Sequence, residues 1–132
     1  MKYLYNDKKQ AAKKKGWDFD LSFEAFELLS HDQCSYCGRE PSSTFSCHGK
    51  YGPKKSCSGQ CPPTFYYHGL DRVNNVQGYV AGNPVAACRS CNVGKKNLTV
   101  EQFIARIGII IPQIQSWPER IEAWTGSRIE LS

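Results

Sequence analysis

Two Cys-x2-Cys pairs, Cys34/Cys37 and Cys88/Cys91, constrain the fold more than anything else in this chain of 132 residues. A Cys-x2-Cys turn aims both sulfurs at one point, and four thiolates form a closed tetrahedral zinc set. The pairs lie far apart in sequence, so a structured segment has to sit between them, with the metal pinning its ends. No ligand position is left open, which makes this zinc structural. A chain of this length reads as one domain with a modest core, and small cores need staples. The cysteines number seven, an odd count that fits a fully paired disulfide framework poorly. Residues 1–16 are rich in lysine and lack an apolar signal region, and no apolar run approaches a membrane span. The expected setting is cytoplasmic and reducing, with no membrane partner. There, clustered cysteines serve as metal ligands rather than disulfides.

The net charge is +5. The excess sits at the start, where Lys2, Lys8, Lys9, Lys13, Lys14 and Lys15 face a single acid, Asp7. Lys8, Lys9, Lys13, Lys14 and Lys15 form either a phosphate-binding arm or the solvated face of a lysine-rich helix. Tyr3, Leu4, Ala11 and Ala12 give that segment a thin apolar stripe, and Gly16 stops it. The segment 17–20 is an extended connector. A second helix is expected from Ser22 to Ser30, with Ser22 as N-cap and Phe23, Phe26 and Leu29 buried. Strand-like runs follow at 65–72 and 84–87, joined by a turn-rich loop. Thr99 and Gln102 write a capping box, and Leu98 with Phe103 a hydrophobic staple. They open an isoleucine-rich helix, read as core, that ends at Pro112. A short last helix starts near Trp117 and closes at Gly126, with 127–132 as a loose tail.

Residues 39–64 change character. Gly, Pro, Ser and Lys dominate without a period, so an irregular insertion is expected. It carries Cys47, His48, Cys57 and Cys61, a candidate second zinc set. The adjacency of Cys47 and His48 is awkward for one ion, so His68 is an alternative ligand. Free thiols in a loop are the other reading.

Taken in order, these motifs resemble the HNH endonucleases, the ββα-metal or His-Me finger family, in the zinc-knuckle branch typical of phages and mobile elements. The matching residues are Cys34-Ser35-Tyr36-Cys37-Gly38, then Gly69-Leu70-Asp71-Arg72-Val73-Asn74-Asn75 with Gly78-Tyr79. Asn83 and Val85 follow, then Cys88 to Cys91, Asn92, Lys95, Leu98, Thr99 and Phe103. The likeness covers roughly residues 17–110 and is specific in order and spacing. It implies an α+β fold: a small ββα-metal (HNH) motif stapled by the four-cysteine zinc site and flanked by N- and C-terminal helices. The division that follows is a basic helix or arm at 1–16 and a nuclease domain at 17–126.

The resemblance also implies a chemistry, hydrolysis of a nucleic-acid phosphodiester with one divalent metal. Asp71, at the end of the first strand, and Asn92, in the helix, match the family's catalytic metal ligands, an oxygen pair suited to Mg²⁺ or Mn²⁺. Asn83 matches the middle asparagine, which braces the hairpin loop. Lys95 and Lys96 are expected to meet phosphate. Many members carry a histidine general base where this chain has Arg72. A guanidinium stays protonated and instead clamps phosphate bidentately. His68, just upstream, has the intrinsic chemistry of a base. However, its spacing places it on the opposite strand face from Asp71 unless the backbone bulges at Gly69. The expectation is a metal-dependent DNA endonuclease of a bacterial or phage-infected cell, acting as monomer or homodimer, with RNA as an alternative substrate. The alternative is an HNH-derived zinc module that binds nucleic acid and cuts weakly or not at all. A zinc-stapled protein adaptor is a third and weaker reading.

Overall fold

The computed structural model describes residues 1–45, the backbone at 48–49 and 52–53, residues 65–110, and residues 122 and 126. The chain divides into two compact units, Met1–Asn97 and Leu98–Ser132. In the first, helix α1 (Lys2–Lys14) and helix α2 (Phe23–His31) precede three short antiparallel strand pairs. Strand β1 (Ser43–Phe45) pairs with β4 (Phe65–Tyr67), and β2 (His48–Gly49) pairs with β3 (Gly52–Pro53). The pair that matters most is β5 (Gly69–Arg72) with β6 (Pro84–Ala87), in register Gly69↔Ala87 through Arg72↔Pro84. Helix α3 (Arg89–Lys95) follows directly and packs on β5. Pro84 is tolerated because it is the first residue of its strand.

Local sequence explains most of these elements. Ser22 caps α2 by accepting a 3.1 Å bond from the Ala25 amide. Gly16, with φ +69°, lets the chain leave α1 sharply. The core gathers Ala12, Leu21, Phe26, Leu70 and Tyr79, with Tyr5, Trp17 and Phe19 packed against it. Tyr5 is its hub. Its ring meets Phe19 and Phe26 edge-on at 5.5 and 5.6 Å, and its hydroxyl donates to Leu21 O at 2.9 Å. The basic N-terminal segment is a helix packed through Leu4, Tyr5 and Ala12.

The connector after α1 does more than span a gap. Phe19 forms a parallel bridge with Tyr79, and the Tyr79 amide donates to Asp18 O at 2.8 Å. A Cβ on Gly78 would lie 2.1 Å from that same carbonyl oxygen, so only glycine admits the contact. The long loop 73–83 is thereby tied at its root to residues 18–20.

Two expectations are corrected. Part of the insertion is ordered sheet: β1 carries β-forming Thr44 and Phe45, and Phe45 stacks on Phe65 at 5.3 Å. The remainder, including Cys47, Cys57 and Cys61 and the side chain of His48, lies outside the described residues. In the second unit, helix α4 (Val100–Ile110) starts with the expected box. The Thr99 amide donates to Gln102 Oε1 at 2.9 Å and the Gln102 amide to Thr99 Oγ1 at 3.2 Å. Yet α4 is not a fully buried core helix. Phe103 is buried, whereas Ile104 and Ile109 are 60% and 75% exposed. Its isoleucines extend around more of the helix than one packed face can cover. The expected last helix and tail lie outside the described residues, except that the Gly126 amide bonds Glu122 O at 2.8 Å with Gly126 at φ +71°.

Candidate active site

Helix α3 serves two sites within two turns. Its start carries Cys88 and Cys91. Opposite stand Cys34 and Cys37, on a turn whose Gly38 adopts φ +70°. That turn is docked onto β6 by the Ser35 amide, which bonds Ala86 O at 2.9 Å. All four sulfurs lie within 4.8 Å of one another. A tetrahedral site with zinc–sulfur bonds of about 2.3 Å sets its sulfurs about 3.8 Å apart. Cys37 Sγ and Cys88 Sγ stand 3.8 Å apart. The four cysteines are positioned to bind a metal ion, and no disulfide links them.

The thiols differ in ease of ionisation. For Cys34, burial acts to raise the pKa, but hydrogen bonds from the backbone at Cys88, Cys37 and Tyr36 outweigh it and bring the value down to about 6. Burial pushes Cys91 well up, and the neighbouring Cys88 and Cys37 sulfurs add to the effect. One thiolate is thus ready to receive a cation, and the cation must supply the energy to deprotonate its neighbour.

A second site opens on the other side of α3. A cavity of about 360 Å³ is walled by residues that include Lys8, Lys15, Trp17, Asp71, Arg72, Asn92 and Lys96. The hairpin brings Asp71 and the helix brings Asn92. Asn92 Nδ2 points to Leu70 O at 3.4 Å, which leaves its amide oxygen turned away from that carbonyl. Asp71 is anchored through a single oxygen. The Tyr36 hydroxyl donates to Oδ2 at 2.6 Å, and Lys95 Nζ lies 3.0 Å from that same atom. Among the described residues, no hydrogen bond reaches Asp71 Oδ1 or Asn92 Oδ1. Two oxygen donors on one wall, with no sulfur or imidazole beside them among the described residues, fit a hard divalent cation. Burial and the hydrogen bond to Asp71 push the Tyr36 phenol far above its usual range, which keeps it a donor to the carboxylate.

Arg72 is held rigidly. Its Nη1 donates to Asn75 O and Gln77 O, both at 2.9 Å, and its guanidinium lies 3.4 Å above the Trp17 ring. Asn83 grips the same loop with both ends of its amide. Its Oδ1 accepts from the Asn74 amide at 2.8 Å, and its Nδ2 donates to Gly78 O at 2.7 Å and Asn74 O at 3.1 Å. Lys8 reaches across from α1, with Nζ 3.5 Å from Leu70 O and 5.1 Å from the Tyr79 ring centre. Lys15 lies 4.6 Å from the Trp17 ring centre. Lys9 and Lys13 do not line this cavity and border a neighbouring one with Trp17. Lys14 is exposed in the last turn of α1.

Two candidate residues are placed elsewhere than expected. Lys95 was expected to meet phosphate, but it is 0% exposed. Its ammonium is committed to Asp71, to Arg72 O at 3.0 Å and to Asn75 Oδ1 at 3.5 Å. His68, the expected base, is 1% exposed and does not line the Asp71 cavity. Its Nε2 donates to Arg39 O at 2.8 Å. Sequence reasoning also missed the roles of Tyr36, Trp17 and Lys95. For Tyr36 the signal was its place between the two cysteines of the first knuckle.

No protein-family model matches the chain. It is 33% identical over 96 residues to an uncharacterized protein of Acanthamoeba polyphaga mimivirus. That match takes in 73% of the chain and 14% of the relative's length. Among solved structures, the rare-cutting HNH restriction endonuclease PacI is similar, with a TM-score of 0.51 and 19% identity. The similarity covers 75% of this chain and 68% of PacI. A hairpin that feeds a helix, with four cysteines gathered at the helix start, is thus common ground between motif and structure, and the chain has the small α+β fold of the HNH endonucleases.

Proposed function

We propose that this chain is a metal-dependent endonuclease that hydrolyses DNA phosphodiester bonds with a single catalytic Mg²⁺ or Mn²⁺, while its four cysteines hold a structural Zn²⁺. One observation carries the reading: Asp71 from the hairpin and Asn92 from the helix share the wall of a cavity whose other charged groups, among the described residues, are all basic. A divalent cation bound by that oxygen pair would stabilise the charge that develops on the phosphate and the leaving oxygen. Tyr36 and Lys95 fix the Asp71 carboxylate through Oδ2, so Oδ1 is left for the cation. Lys8, Lys15 and Lys96 draw the phosphate backbone into the cavity. Arg72, with Nη1 used by the loop, offers its remaining donors to a phosphate oxygen. PacI, which shares the fold, is a restriction endonuclease that acts on DNA. RNA presents the same phosphate chemistry.

The test is cleavage of supercoiled plasmid by zinc-loaded protein with Mg²⁺ or Mn²⁺. Activity that Asp71→Asn and Asn92→Ala each remove by about 100-fold or more, with zinc content unchanged, supports the reading. Asp71→Ala is a poorer choice: both changes remove the counter-charge of the buried Lys95, at a cost of about 3–5 kcal/mol, but asparagine keeps an oxygen that accepts from Tyr36 and Lys95. One observation favours a second reading, a module that binds DNA without cutting it: no histidine lines the cavity among the described residues. Plasmid left intact across several divalent ions, together with salt-sensitive DNA binding, selects that reading.

A further inference from the structure

The four cysteines gathered at the start of α3 differ in exposure. Cys34 and Cys88 are each 2% exposed and Cys91 is half-buried, whereas Cys37 is open to solvent. With zinc bound, all four sulfurs are thiolates, the form that oxidants attack, so access decides which one reacts first. Cys37 Sγ also stands 3.8 Å from Cys88 Sγ, which belongs to the opposite knuckle. A disulfide bond of about 2.05 Å is formed from that spacing by a small closure of the two sulfurs. An exposed thiolate thus has a protected partner already within reach.

We propose that Cys37 is a modification site for hydroperoxides, with Cys88 as the sulfur that resolves it into a disulfide across the two knuckles. The inference rests on the zinc part of the reading above and is independent of the nuclease part. In the first step the Cys37 thiolate attacks one peroxide oxygen, the O–O bond breaks and hydroxide (or alkoxide) leaves. Cys37 is then a sulfenic acid. In the second step the Cys88 thiolate attacks the Cys37 sulfur, the S–O bond breaks and hydroxide leaves. The peroxide has gained two electrons, and two thiolates have become one disulfide. Cys34 and Cys91 remain, too few for a closed four-ligand zinc site, so the ion is lost. The new bridge joins the same two segments that the metal joined, which keeps the site ready to be rebuilt by a thiol reductant and zinc. Tyr36 lies inside the first knuckle and bonds Asp71 Oδ2 at 2.6 Å, so the modification also bears on the support of that carboxylate.

The experiment treats the full, zinc-loaded chain with hydrogen peroxide. Released zinc is read with a chromophoric chelator, and disulfides are mapped by mass spectrometry. Tryptic cleavage after Arg89 separates Cys88 from Cys91, so the bridge is assigned directly. Dimedone, which traps sulfenic acids, should label Cys37 first. Zinc should be released in step with the Cys37–Cys88 bridge, and dithiothreitol with added zinc should reverse both. Cys37→His keeps a ligand that zinc accepts and removes the exposed sulfur, so peroxide-driven release should slow by about 10-fold or more. Dimedone labelling and bridge mapping use the unaltered chain and decide the matter if that variant does not hold zinc. Zinc retained in excess peroxide, first labelling at Cys34, Cys88 or Cys91, or a bridge within one knuckle overturns the proposal. A chain that binds no zinc at these four cysteines overturns the metal assignment and the proposal together. No readout depends on plasmid cleavage, so failure of the nuclease reading leaves each result as it stands.

Discussion

The cysteine cluster and the basic cavity share helix α3, yet they are built on opposite plans. The cluster draws on two short motifs, and its ligands lie within 4.8 Å of one another. The cavity draws on α1, the connector after it, β5, the hairpin loop and α3. Its carboxylate is held by a tyrosine from the first cysteine knuckle and a lysine from the last turn of the helix. The contrast teaches that the cluster is assembled locally and the cavity from distant segments, with Tyr36 and α3 as the mechanical link between them.

The largest expected effect strikes both regions together. Removal of the metal by a chelator, or Cys88→Ser, should abolish cooperative thermal unfolding, since structural zinc sites contribute on the order of 10 kcal/mol to folding. Circular dichroism would read this out. A cavity that survives chelation would break the link proposed between the two sites. Next comes Lys95→Met, which leaves Asp71 buried without its partner and should destabilise the fold by about 3–5 kcal/mol with zinc still bound. The double change with Asp71→Asn should restore part of that stability, because no lone charge remains.

Smaller effects sharpen the contrast. Asn83→Ala removes the amide that grips the hairpin loop and should cost about 1–3 kcal/mol in urea unfolding. Each of Lys8→Gln and Lys15→Gln should lower the salt dependence of DNA affinity by about one phosphate contact and leave the zinc content unchanged. Thr99→Ala should cost about 1 kcal/mol through loss of its cap and leave the cavity untouched. A measurable loss of DNA affinity in that last variant would show that the second unit takes part in binding.

What could be read in the sequence follows the same divide. The two knuckles, the Ser22 cap, the Thr99–Gln102 box and the paired strands are local, with their partners a few residues away or in a recognisable order. The cavity is not. Tyr36 meets Asp71 across 35 positions, and Lys8 approaches Leu70 across 62. No spacing rule reports such contacts. Lys95 was misplaced for a related reason. Its place in the motif beside Lys96 put it toward phosphate, and lysine is almost never fully buried without a partner. Only the folded hairpin shows that Asp71, Asn75 and the Arg72 carbonyl wait for its ammonium. His68 is 1% exposed and turned to the Arg39 carbonyl, a burial that sequence cannot show at a single position.

The contact between Gly78 and Asp18 carries a consequence for how the hairpin loop accepts change. At its root, any side chain would collide with a backbone carbonyl, so a library randomised at position 78 should return glycine alone. At its crest, Val76 is 92% exposed. The loop is therefore a graft point: foreign residues spliced at its tip would project into solvent, while its welded base kept Arg72 and Asp71 where they stand.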